Sequence, residues 1–334
     1  MTPDSPRTER LTRWIDIDST SGRESAFLEA LESHLRNAGF AIERQRVEKD
    51  RWNLIARRAE NPSLLYSTHV DTVPPHFPSR VEGDAVFGRG ACDTKGGIVA
   101  MIEAGERLLA DGLDDFGYLF VVGEEVDHIG ARVSADLDLR PRRIILCEPT
   151  CNRVVKAQKG MLKASLTASG VAGHSAYPER GHSAVHDLLD ALQAIRSHTW
   201  PTDTTLGPTT LNVGLIEGGV ADNVFAPSAS AEVMIRAVSP ADGLLETMRS
   251  LVGDLVTIEI PAANDPVFFD PPEDVETCLA AFNTDATYLS ALGPVWLVGP
   301  GDIEVAHSVD EHITLESLAA GVDLYERLGR QVLD

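Results

Sequence analysis

Apolar residues in "ESAFLEALESHLRNAGF" recur every three or four positions and give out at Gly39, which predicts a helix over residues 23–39. Residues 5–18 follow the same spacing. The pattern then breaks into short runs. "AIERQRVE" and "WNLIARR" read as strands, and "SLLYSTHVD" as another, with its apolar half starting at Leu64 and Leu65. A Gly-rich loop within "RVEGDAVFGRGACDTKGG" feeds a helix over residues 97–111. "FGYLFVVGEEVD" and "RRIILCEPT" are apolar runs of the kind found in strands covered on both faces. Strands alternating with helices predict an α/β fold: a mainly parallel, mixed sheet flanked by helices.

The middle of the chain has a different rhythm. "GMLKASLTASGVAG", "TTLNVGLIEGG" and "SASAEVMIRAV" alternate like half-buried strands, and "LVTIEIP" reads as a last strand. "SAVHDLLDALQAIRSH" and "PADGLLETMRSLVG" are amphipathic helices. In chain order this is β-α-β-β-α-β, the ferredoxin-like arrangement. It predicts an inserted α+β domain over residues 159–262, between the two parts of the first domain, 1–158 and 263–334. After it come "TYLSALGPVWLVGPG" and a final helix over residues 314–333.

The buried strands of the first domain end on chemistry. His69 and Asp71 close one, Glu124 and Glu125 another and Glu148 a third, while Asp93 lies in the Gly-rich loop. Residues i and i+2 of a strand share a face. His69 and Asp71 are therefore expected side by side at a C-terminal strand end, where open α/β sheets keep their ligand sites. The pair alone reads first as a capped strand end with a surface histidine, and second as a metal-binding imidazole oriented by a carboxylate. Adjacent glutamates on a strand face opposite ways, so Glu124 and Glu125 can serve one site only if the chain is already turning there.

Composition narrows the classes. There are 51 acidic residues against 29 basic ones, a formal charge of −22, and only five of the basic residues are lysines. A surface this acidic lacks the basic face that nucleic-acid phosphates require. No apolar run is long enough to span a bilayer, and "MTPDSPRTERLTRWIDIDS" has no apolar signal core, which predicts a cytoplasmic protein with no membrane partner. Cys92, Cys147, Cys151 and Cys278 fit neither a disulfide framework nor a CxxC zinc motif. "GRGACDTKGG" is neither GxGxxG nor a P-loop, so nucleotide binding has little support.

Six segments taken together, "STHVDTVPP", "GRGACDTKGGIVAMI", "GEEVDHIGA", "CEPT", "GVAGHSAYPERGHSAV" and "GPGDIEVAH", resemble the dizinc deacylase and metallopeptidase family. That family includes acetylornithine deacetylase, succinyl-diaminopimelate desuccinylase, aminoacylase and the glutamate carboxypeptidases. The resemblance keeps the family's motif order over nearly the whole chain. It implies two divalent metal ions, zinc with cobalt able to substitute. His69 and Glu148 would hold one ion, Glu125 and His307 the other, and Asp93 would bridge them. Asp71 would anchor His69 through its second ring nitrogen. Glu124 would be the general base. The inserted domain would form a homodimer, and His174 would reach the partner's site to stabilise the oxyanion.

The same resemblance places substrate contacts at Arg236, Asn223, Asn283 and Thr284. Met234 departs from the family, whose members often carry an aspartate there, and this weakens the assignment of Arg236. Thr284 or Asp285 reads equally as a helix cap. His128 reads as a loop histidine, and Cys92 and Cys147 as small apolar groups behind the site. Lys95 either balances the carboxylates or makes a plain salt bridge. The implied activity is removal of an N-acyl group, N-acetyl by resemblance, from an amino acid such as ornithine, citrulline or lysine, in arginine or lysine biosynthesis. A desuccinylase or a dipeptidase or carboxypeptidase on the same site is the alternative, and a metal-free binding protein a further one.

Overall fold

The computed structural model describes residues 5–334 and divides the chain into two compact units. The first holds the chain through Lys156, together with Phe269–Cys278 and Thr284–Asp334. The second holds Ala157–Phe268 and Leu279–Asn283.

A six-stranded sheet organises the first unit. Its order is Ala41–Glu48, Arg51–Arg57, Phe116–Val121, Leu64–His69, Arg143–Leu146, Val295–Leu297. Three of its five pairings are parallel, and the antiparallel ones involve the first two strands. Leu64–His69 and Phe116–Val121 are buried along their whole length, as strands with both faces covered must be. Helices Lys95–Ala110 and Leu315–Leu333 pack together on the sheet through glycines. A Cβ at Gly105 would come within 1.9 Å of the Tyr118 hydroxyl, and one at Gly329 within 2.4 Å of the Tyr66 hydroxyl. Both helices can therefore approach as closely as they do only without side chains at these positions.

Parallel strands bring their C-terminal ends to one edge. The sheet delivers His69, the turn after Val121 and Glu148 to that edge, along with the loop that follows Leu297. Some bounds differ from expectation. The first helix stops at Ile15 and is capped by Asp16, and the helix expected from residue 97 begins at Lys95.

The second unit is a four-stranded antiparallel sheet in the order Thr210–Gly218, Ser228–Ala237, Gly160–Ser169, Val256–Asn264. Helices Ala184–Ser197 and Ala241–Val252 close a separate apolar core with it. Burial alternates along Ser228–Ala237 as the sequence alternates. Thr210–Gly218 is an edge strand, and its Leu215 and Ile216 are exposed. A small hairpin, Thr202–Asp203 with Gly207–Pro208, was not foreseen in the sequence. Among the described residues no helix is long and apolar enough to cross a membrane.

Candidate metal centre

His69 is the last residue of the central strand and is fully buried. Its Nε2 lies 3.0 Å from Asp93 Oδ1. Its Nδ1 lies 2.9 Å from the main-chain carbonyl of Asp71 and 3.6 Å from that residue's carboxylate. The sequence suggests that the carboxylate anchors the imidazole, but the carbonyl is the closer partner. The Asp71 carboxylate has a second task. It accepts the backbone N–H groups of Gly123 (2.9 Å), Glu124 (3.1 Å) and Glu125 (3.3 Å), and the Ser21 hydroxyl (2.7 Å). This explains how two adjacent glutamates serve one site. The strand ends at Val121, and Asp71 gathers the following amides into a turn.

Asp93 is held by a second buried carboxylate. Glu311 pairs with Arg89 at 2.5 Å and accepts the N–H groups of Gly90 (2.9 Å), Cys92 (3.4 Å) and Asp93 (3.3 Å). The two oxygens of Asp93 then face opposite partners: Oδ1 faces His69, and Oδ2 lies 3.3 Å from His307 Nε2. His307 Nε2 is also 2.9 Å from Glu125 Oε2.

Among the described residues three groups of ligand-type atoms lie within 4.8 Å of one another: His69, Asp93 and Glu148; Asp93, Glu125 and His307; and, set apart from Asp93, Glu124, His128 and Asp285. Asp93 belongs to the first two. The first group is entirely buried, whereas the His307 side chain is 50% exposed. Mixed nitrogen and carboxylate donors with no thiolate suit divalent ions such as zinc. Glu148 Oε1 is buried with no hydrogen-bond partner, an arrangement that a cation would satisfy. The residues therefore fit a pair of metal ions.

The electrostatics point the same way. Burial and then the charge of Glu124 push Glu148 well up, and burial with the charge of Asp93 raises Glu125. Hydrogen bonds to Asp93 and Glu125 push His307 up to about 10. Burial opposes charge on His69, yet Asp71 and Asp93 hold it well above the ordinary histidine range. Burial would raise Asp93, but His307 and His69 keep it low. Glu148 and Glu125 are short of positive charge, which a divalent cation would supply.

Glu124 stands next to these groups. Burial pushes it up to about 8, with His128 and His69 pulling the other way. His128 Nδ1 lies 3.5 Å from Glu124 Oε1 and 2.9 Å from Asp285 Oδ1. His128 is thus a buried residue with two carboxylate neighbours, not a solvated loop histidine. Asp285 stands at the N-cap of Ala286–Leu289 but makes no side-chain cap bond. Thr284 Oγ1 does accept the N–H of Ala286, at 3.2 Å.

His174, Asn223, Arg236 and Asn283 belong to the second unit. His174 and Asn223 are exposed and share a loop pair. His174 bridges Val224, and the Asn223 carbonyl accepts the Ser175 N–H at 2.9 Å. Arg236 lies on strand Ser228–Ala237, where Met234 is in register with Lys163 and Asn212. Asn283 is buried and accepts from Asn264 at 2.7 Å. Lys95 donates to the Ile17 carbonyl at 2.6 Å and lies over the Phe27 ring, where burial brings it down to about 7. Cys147 fills the space beside Gly97, where an added Cβ would come within 2.1 Å of its sulfur. Sequence reasoning did not find the roles of Glu311, Ser21, His128 and Asp285. The one local signal was the four-residue spacing of Glu124 and His128.

Residues 156–257 match the family model described as a peptidase dimerisation domain. The chain is 35% identical over 331 residues to a peptidase M20 domain-containing protein of Schizosaccharomyces pombe, an alignment covering 94% of this chain and 82% of that protein. It is 34% identical over 377 residues to a probable carboxypeptidase of Aspergillus terreus, covering 97% and 86%. Among solved structures, a tripeptidase of Staphylococcus aureus superposes with a TM-score of 0.81 at 20% identity, over 98% of both chains. An M20 family metallo-carboxypeptidase of Sulfolobus solfataricus gives a TM-score of 0.79 at 15% identity, over 98% of this chain and 99% of that one.

Proposed function

The chain belongs to the M20 peptidase family, and from that premise we propose that it is a dizinc hydrolase of linear amides whose leaving group is an amino acid with a free carboxylate. The observation that carries this reading is Asp93, which turns one oxygen toward each of two His/carboxylate groups, with Glu124 beside them. A pair of divalent ions held by His69, Asp93, Glu148, Glu125 and His307 would supply the Lewis acidity that polarises the amide carbonyl and acidifies a water. Glu124 takes a proton from the attacking water and passes it to the leaving nitrogen as the C–N bond breaks, which yields a carboxylate and a free amine. His174 is assigned to the developing oxyanion, and Arg236, Asn223, Asn283 and Thr284 to the substrate.

Two substrate classes meet this description. The relatives named carboxypeptidases favour a peptide cut at its C-terminal residue. The "GPGDIEVAH" loop resembles the deacetylases and favours an N-acetyl amino acid such as ornithine, citrulline or lysine. The match to a dimerisation domain, together with the exposed apolar residues Leu215 and Ile216 on an edge strand, supports a homodimer. Four unpaired cysteines suit a reducing compartment, and a cytoplasmic location is part of the reading.

The test is a rate panel on metal-loaded protein beside a chelated control. It uses N-acetyl-L-ornithine, N-acetyl-L-citrulline, N-acetyl-L-lysine, N-succinyl-diaminopimelate, simple dipeptides and N-blocked dipeptides. Chelator-sensitive turnover confined to the acetyl amino acids would assign a deacetylase, and turnover of the blocked dipeptides a carboxypeptidase. A metal-loaded sample that turns over no member of the panel overturns the proposal.

A further inference from the structure

His128 is strained into place. Its φ is 57°, in the left-handed region that a residue other than glycine adopts at a cost. Its N–H donates to the Gly123 carbonyl at 2.8 Å, closing the turn that carries Glu124 and Glu125. The ring is 6% exposed and lies between two carboxylates: Asp285 at 2.9 Å and Glu124 at 3.5 Å, both measured from Nδ1. Tyr288 covers it, with ring centroids 5.6 Å apart. Asp285 is fully buried, and its Oδ1 is committed to His128, while its side chain makes no cap bond to the helix it precedes. Asp71 fixes the backbone at residues 123–125, and its contacts stop at the amides and do not reach the Glu124 carboxylate.

We propose that His128, clamped by Asp285, is a positioning residue that holds the Glu124 carboxylate in the orientation it needs to carry the proton. The idea rests on the reading of Glu124 as the proton carrier. The imidazole faces Glu124 with the one nitrogen that Asp285 also engages, so Asp285 fixes the ring, and the ring fixes the carboxylate. The backbone of the turn is set by Asp71 and the side chain by His128. The contacts of the imidazole hold the turn in this positive-φ conformation, which a glycine would adopt without the cost.

The backbone conformation supplies the test. His128→Gly relieves the φ strain and leaves an imidazole-sized space. It should keep two metals per chain, yet lose about ten- to a hundred-fold in kcat at unchanged KM. Added imidazole should restore part of the lost rate in His128→Gly and none in the wild type. Asp285→Asn, equal in size, should show a similar loss without imidazole rescue. In a Glu124→Gln background neither substitution should lower the residual rate further, because the carboxylate they position is gone.

Full kcat in both variants would overturn the inference, as would an undiminished additional loss in the Glu124→Gln background. A wild type that binds three metals, with a His128→Gly variant that binds two, would also overturn it by making His128 a ligand. Full activity in Glu124→Gln alone is a different failure, that of the proton-carrier reading itself.

Discussion

Glu124 and Glu125 are neighbours in sequence with different surroundings. Glu125 touches His307 and shares a group of ligand-type atoms with Asp93, whereas Glu124 groups with His128 and Asp285 and with neither set around Asp93. Replacing the carboxylate of Glu124 by an amide of the same size should therefore leave metal content unchanged. On the general-base reading, Glu124→Gln lowers kcat by about a hundred- to ten-thousand-fold. Elemental analysis and steady-state rates on one sample check both halves. Retained turnover would remove Glu124 from its assigned role. At this scale the sequence showed the residues that stand at strand ends, because a strand end announces itself by an apolar run stopping at a polar group. It could not show Asp285 against His128, since the two are 157 positions apart in sequence and no local pattern links them. Asp71 was visible as a partner of His69. Its grip on three amides of another strand's turn was not, because hydrogen bonds to main-chain groups leave no mark on residue identity.

Two loops of the centre are built alike. Each is a run of amides drawn around one buried carboxylate: Asp71 for the loop at residues 123–125, and Glu311 for the loop at 90–93. Glu311 also neutralises Arg89, which is itself 2% exposed. Glu311→Gln leaves that guanidinium buried without its counter-charge, and breaking a buried pair in this way costs about 3–5 kcal/mol. Urea denaturation of metal-free protein should show a loss of that order, and metal affinity should fall because Asp93 loses its fixed loop. A variant as stable as the wild type would show that Arg89 finds another partner. At the scale of elements the sequence was most legible. "AIERQRVE" is the strand Ala41–Glu48, and the β-α-β-β-α-β order of the second unit is as its periodicity predicts. The turns, where hydrogen bonding to Asp71 or Glu311 outweighs local preference, were read least well.

Protonation links the whole molecule to its metals. In the metal-free protein burial raises Glu124 to about 8, and hydrogen bonds raise His307 to about 10. Burial opposes charge on His128, but Asp285 and Glu124 carry it to about 9. A group whose folded pKa is raised contributes stability that is complete below its unfolded pKa and disappears as the pH rises through the folded one. Lys95, brought down to about 7 by burial, acts in the opposite sense above that value, and it is one group against three. Metal-free protein should therefore be less stable at about pH 8 than at about pH 6. Excess zinc should flatten or reverse that slope, because bound ligands are deprotonated and metal competes with protons. Thermal melts at both pH values, with and without zinc, measure it. A metal-free protein that is more stable at the higher pH would contradict the charge balance described here.

The two halves of the centre differ in their access to water. His69, Asp93 and Glu148 are sealed, while His307 stands half in solvent on a loop of positive φ. If this centre holds the proposed pair of ions, the two should exchange at very different speeds. The outer one leaves and returns with small movements of a single exposed imidazole. The inner one has to wait for a buried strand end to open. Brief exposure to a chelator would then strip one equivalent and leave the other, and the half-loaded protein would persist as a species of its own. In a cell with scarce or mixed metals, the composition of the inner position would record what was present as the chain folded. The outer position would follow the supply of the moment.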